Sequence, residues 1–296
     1  MMNQKAGIIY GVASSICFAL MAVSVKKLNG SLNSQNIVFL RSIGHIILLL
    51  PILNFKKSTL NFKVMQFALY RSFFGCFSIF IYYYSLGRIP VSDATLIIDT
   101  SPIFVFLISS IFLGHLFNVI RLVSLLCFLI GLFFLKKYDG FESDQISYFI
   151  SFLGPLAISV SFIFLKKSSH ALNPYQILFA LNISLLVFSV VLSGHNVTFL
   201  NEIHFFLYLL LMIISSFAAQ ITLSYSFKHL DEVAASTITL LSVLWTCIAD
   251  MVLWKSVFSL SQVLLYFFFI SGIILMKISY KWGSFRDMKN AFKLHF

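Results

Sequence analysis

A chain of 296 residues that is 59% apolar and 10% charged, with a mean hydropathy of +0.95, has too little polar surface to close as a soluble domain. It reads as a multi-pass membrane protein. The net charge of +11 does not imply nucleic acid, because Lys and Arg sit mostly at the ends of apolar runs, where they meet lipid headgroups.

A bilayer core takes about 20 apolar residues per helix, and the apolar runs divide into about ten such spans. The expected spans are 7–26, 36–54, 64–86, 91–114, 119–136, 147–166, 174–193, 203–227, 233–254 and 259–280. The expected fold class is therefore an all-α integral membrane protein.

The first span carries Ser14, Ser15 and Ser24 and no small-residue cleavage site behind it, so it is read as a retained helix rather than a signal peptide. Cys17, Cys76, Cys127 and Cys247 all fall inside spans without metal spacing and are read as buried thiols. On the second span Arg41 and His45 are four apart and share a face. Helical rise puts Arg41 ~8 Å from the outer end of its span and Arg71 ~10 Å from the inner end of the third. Each arginine is read either as a snorkelling anchor or as a functional charge. For Arg41 the functional option is pairing with Asp99. Tyr82, Tyr83 and Tyr84 are read as an aromatic belt, one of which, with Tyr83 as the candidate, faces inward to stack on a substrate.

The fourth span holds two faults in one turn. Asp99 lies ~12 Å into it by helical rise, and Pro102 frees a backbone carbonyl. Ser92, Thr95, Asp99 and Pro102 follow at helical spacing and make one polar stripe. An ionisable group at that depth is a candidate substrate or proton site facing an internal cavity; the other reading is a structural carboxyl bonded to a neighbouring helix.

In the second half Ser216, Gln220 and Ser224 form a stripe on the eighth span, and Thr239, Ser242, Thr246 and Asp250 another on the ninth. Packing between helices and cavity lining are both open for them. Asp250, about one turn from the outer end, is expected at the interface. The tail 281–296 mixes Lys281, Arg286, Lys289 and Lys293 with Trp282, Phe285 and Phe292, which fits a short helix lying on anionic lipid.

Sorting Lys and Arg by alternate loops places 13 on the side of the N-terminus and 6 on the other, which puts both termini in the cytoplasm. The halves repeat. With an offset of 140, positions 26–39 share six identities with 166–179, among them Lys26-Lys27 with Lys166-Lys167 and Asn33 with Asn173. With an offset of 141, Tyr84-Ser85 matches Tyr225-Ser226, Ser101 matches Ser242 and Gly131 matches Gly272. Five spans per half make the second half enter the membrane from the opposite side, an inverted repeat.

This layout, with the run Pro90-Val91-Ser92-Asp93-Ala94-Thr95, then Pro102, then Phe112-Leu113-Gly114, resembles the EamA domains of the drug/metabolite transporter superfamily. Lys26 at the end of the first span and Gly131 in the fifth fit the same pattern. The resemblance covers about 7 to 280, as repeats 7–136 and 147–280. It departs at His115, where an acidic residue often follows Leu-Gly in the family, and at Asp231 and Val243, which replace the two prolines in the second half.

The resemblance implies a secondary transporter of a small organic metabolite in a bacterial inner membrane, working with protons or a counter-substrate and without a cofactor. Amino acids and S-adenosylmethionine are the candidate substrates, because one carboxylate and one guanidinium suit a zwitterion and suit a polyanion poorly. The Phe-, Ile- and Lys-rich composition, as AT-rich codons give in host-dependent bacteria, favours uptake over export. Asp99, Arg41, His45, Thr95, Tyr83, Gln220, Thr239 and Ser242 are the expected binding residues. The rival of another class is a membrane-embedded enzyme on lipid substrates, but no phosphate loop, HExxH, Gly-x-Ser-x-Gly or metal-ligand cluster occurs.

Overall fold

The computed structural model describes residues 4–52, 62–113, 145–169, 172–193 and 203–255, with scattered positions between 120 and 130 and between 260 and 275. Secondary structure among them is helical. The first half gives α1 (Gln4–Leu28), α2 (Ser34–Leu49), α3 (Phe62–Arg88), α4 (Val91–Ile98) and α5 (Ser101–Leu113). The second gives α6 (Gln145–Ser151), α7 (Leu153–Ser169), α8 (Pro174–Ser193), α9 (Ile203–His229), α10 (Glu232–Thr239) and α11 (Leu241–Trp254). Among the described residues five segments are long and apolar enough to cross a membrane: Gln4–Leu28, Gln145–Ser169, Pro174–Val191, Phe205–His229 and Glu232–Trp254. Most of the expected fifth and tenth spans, together with His115, Gly131 and the tail 281–296, lies outside the described residues.

The fourth span is not the single helix expected over 91–114. It stops at Ile98, Asp99 caps it with φ −79° and ψ 4°, and α5 restarts at Ser101. Pro102 is the cause: it has no N–H for the carbonyl of Ile98, and its ring crowds that carbonyl. The second half breaks at the position of Asp99, Leu240, although Val243 stands where the proline was. There the turn tightens through i−3 bonds, Leu240 N–H to Thr237 O at 3.2 Å and Val243 N–H to Leu240 O at 3.1 Å. The hydroxyls of Thr237 and Thr239 also bond back to carbonyls of the preceding turn, which bends a helix. The interruption therefore survives the loss of the proline.

The chain forms two compact units, Met1–Val105 with Asp144–Ser256 and Phe106–Ser143 with Val257–Phe296. Neither is a sequence half; each draws corresponding parts from both. In the smaller unit the Ser124 hydroxyl donates to the Gly272 carbonyl at 2.7 Å.

In the larger unit α1 packs on α9 and α7 packs on α3, so the first helix of each half lies against the third helix of the other. Small residues allow the approach. Gly7 and Gly11 are one turn apart on α1, and a Cβ on either would sit 2.7 Å from Leu230 Cγ or Ile238 Cγ2. Hydroxyls then tie the helices: Ser226 to Gly7 O at 2.9 Å, Ser14 to Ala219 O at 3.0 Å, and Ser85 to Ser151 at 2.6 Å. Lipid tails are as apolar as leucine, so polar and small groups turn inward while Phe149, Val191 and Val252 remain exposed.

The repeat lysines do one job in both halves. Lys26 Nζ donates to the Ile89 carbonyl at 2.9 Å, and Lys166 Nζ donates to Phe227 O at 2.8 Å and Leu230 O at 2.5 Å. Each ammonium satisfies carbonyls that the C-terminal end of α3 or α9 leaves without helical partners.

Candidate functional site

One cavity inside the larger unit gathers most of the polar residues singled out by sequence. Arg41, Tyr83, Thr95, Asp99, Gln220, Thr239 and Ser242 all line it, and so do Arg71, Ser78, Tyr82 and Ser161. Its empty space is about 670 Å³, open solvent at the mouth included. Lining residues recur in pairs at the repeat offset: Phe18 with Ile158, Met21 with Ser161, Ile79 with Gln220, Tyr82 with Leu223, and Ile98 with Thr239. The cavity is thus built from equivalent positions of both halves.

Its charge is not shared equally. Arg41, Arg71 and Asp99 come from the first half, whereas the second supplies the neutral Ser161, Gln220, Thr239 and Ser242. Asp99 sits at the helix break, where the turn carries its carboxylate into the cavity. It accepts a hydrogen bond from the Ser242 hydroxyl, while Thr239 lines the same wall. Tyr82 OH and Thr95 Oγ1 are 2.9 Å apart beside it.

Arg41 is 1% exposed, and none of its three nitrogens has a hydrogen-bond partner. It therefore does not pair with Asp99. Its guanidinium lies 5.7 Å from the centroid of the Tyr83 ring, a cation–π contact that leaves every N–H free to donate. An uncompensated buried charge is among the costliest groups a fold can hold.

Arg71 is also buried, and both arginines line this one cavity. Arg71 Nη2 donates to Gln220 Oε1 at 2.9 Å and Nη1 to Ser161 Oγ at 3.3 Å, while Nε has no partner. Gly75 makes this pose possible, since a Cβ there would stand 2.6 Å from Arg71 Nη1.

His45 is not on the cavity wall. It sits between α2 and α9, with Nε2 2.8 Å from Ser216 Oγ and 3.1 Å from Ile213 O. Tyr82 and Tyr83 are interior, so the expected belt reduces to Tyr84, whose ring carries the Arg88 guanidinium at 4.6 Å. Asp250 is buried rather than interfacial: its Oδ2 accepts the Ser92 N–H at 2.8 Å, capping α4 and meeting the positive end of its dipole. Asp93 accepts from Tyr148 OH at 2.5 Å, outside the cavity. Sequence reasoning left Arg71 and Tyr82 out of the site. Their signal was present in the i, i+4, i+7 and i+11 spacing of Arg71, Gly75, Ser78 and Tyr82, all on the wall. Among the described residues no cluster of His, Cys, Asp and Glu could hold a metal.

Known proteins agree with this layout. The chain is 25% identical over 175 residues to the pseudopaline exporter CntI of Pseudomonas aeruginosa, over 59% of this chain and 62% of the exporter, so the match spans less than two thirds of that protein. It is 22% identical over 254 residues to an uncharacterized transporter of Helicobacter pylori, over 80% of this chain and 84% of that one. A crystal structure with a TM-score of 0.69 and 14% identity covers 93% of the chain and 97% of its own, and so shares the fold. These relatives point to a transporter rather than an enzyme. The EamA-like transporter family model matches twice, over residues 5–136 and 145–278, and the chain is a multi-pass membrane protein that belongs to that family.

Proposed function

We propose that the cavity is the substrate site of a secondary transporter for a small zwitterionic metabolite, amino-acid-like or S-adenosylmethionine-like. The observation that carries this reading is Arg41, a buried guanidinium on a cavity wall with all three nitrogens unpartnered. A substrate carboxylate supplies what the fold withholds. Asp99 takes the ammonium or sulfonium, and the rings of Tyr82 and Tyr83 offer stacking faces. Phosphorylated polyanions are disfavoured because Asp99 faces the same space, not because the arginines are apart.

Two five-span halves, inverted and rocking about the cavity, give alternating access driven by exchange or by protons. Placement of the cavity on paired repeat positions supports that symmetry. The exporter among the relatives favours outward transport as much as composition favours uptake.

Zwitterionic metabolites are expected to compete for counterflow in proteoliposomes, and phosphorylated ones are not. Saturable ATP or sugar-phosphate uptake, with amino acids and S-adenosylmethionine inert, would overturn the reading. Orientation has its own test. The Lys/Arg bias puts both termini in the cytoplasm of a bacterial inner membrane, so a fluorescent protein fused after Phe296 is expected to glow. Alkaline phosphatase fused near Asp144 is expected to be active, and the reverse pattern would invert the topology.

A further inference from the structure

We propose that the preferred substrates are amino-dicarboxylates, with one carboxylate on Arg41, the second on Arg71 and the ammonium on Asp99. This rests on the transport reading above and narrows it. The charged side chains on the cavity wall are two guanidiniums and one carboxylate. The Ser242 hydroxyl takes the carboxylate, and neither arginine does. Arg71 is oriented by Gln220 and Ser161, whose neutral oxygens hold the guanidinium in place without cancelling its charge. With Asp99 ionised the empty site carries one positive charge in excess, and both guanidiniums line the same cavity.

A zwitterion with a single carboxylate leaves that excess in place. An amino acid with a second carboxylate removes it, giving each guanidinium fork an anion and Asp99 a cation. S-adenosylmethionine, with two cationic groups and one carboxylate, fits worse than either.

The decisive comparison is between acids and their amide isosteres. Purified full-length protein in proteoliposomes is challenged with α-amino dicarboxylates from aspartate to 2-aminopimelate, each beside its side-chain monoamide. Tracer displacement is read together with the ligand-induced rise in unfolding temperature. For at least one chain length the acid is expected to bind ~10-fold or more tighter than its amide. Arg71→Gln is expected to bring that ratio to about one while amide binding persists, whereas Arg41→Gln loses both ligands. Gly75→Ala, which pushes the Arg71 guanidinium aside without removing its charge, is expected to lower the acid preference even where Arg71→Gln folds poorly.

Equal binding of acid and amide by the wild type, or an equal loss of both in the Arg71 and Gly75 variants, would overturn the dicarboxylate inference and leave the zwitterion reading standing. Failure of every zwitterion, amides and monocarboxylates included, would sink both.

Discussion

Arg41→Met is expected to abolish transport and, at the same time, to raise the unfolding temperature. Methionine fills a similar volume beside the Tyr83 ring and has no N–H to satisfy. The native guanidinium is buried with every nitrogen unpartnered, so the empty protein bears its desolvation without return. Replacing buried ion pairs by apolar side chains of similar volume has stabilised other proteins by about 1–4 kcal/mol, and a gain within that range is expected for this unpaired guanidinium. Transport is expected to fall by ~100-fold or more, because a substrate carboxylate loses its buried partner. Thermal unfolding in detergent and counterflow in proteoliposomes measure the two effects on one preparation. A variant that loses stability along with transport would make Arg41 a structural residue.

The sequence disclosed what depends on local chemistry and hid what depends on which faces meet. Asp99 stood out because a carboxylate deep in an apolar run and a proline three residues on are both costly, and the structure puts the helix break there. Periodicity alone located Gln220, Thr239 and Ser242, since polar residues at helical spacing in a lipid-facing chain must turn inward. Depth counting was the weak step. It left Arg71 open between an anchor and a functional charge, whereas one turn on, Gly75 leaves room for the side chain to lie along its own helix beside the cavity. His45 shares a face with Arg41 by spacing, yet α9 reaches it through Ser216 and removes it from the cavity wall. No single-helix argument contains that neighbour. The break at Leu240 was illegible for a different reason: without a proline, its cause lies in hydroxyls bonding back to their own helix, a pattern many straight helices also carry.

Asp99→Asn is expected to cost at least ~30-fold in transport of amine-bearing substrates while leaving the fold almost unchanged. The amide keeps the shape of the carboxylate, and its oxygen still accepts from Ser242, so the turn between α4 and α5 retains its partner. What disappears is the negative charge opposite Arg41 and Arg71. Without it a substrate ammonium enters a cavity carrying two cations and nothing to offset them, and the loss is electrostatic rather than steric. Asp93→Asn is the contrasting variant. Its carboxylate accepts from Tyr148 away from the cavity, so the change is expected to weaken a helix contact and to leave transport by the folded fraction near wild type. Measuring both variants by counterflow and by thermal unfolding separates a site charge from a structural one. Wild-type transport by Asp99→Asn would reduce Asp99 to a cap on a broken helix.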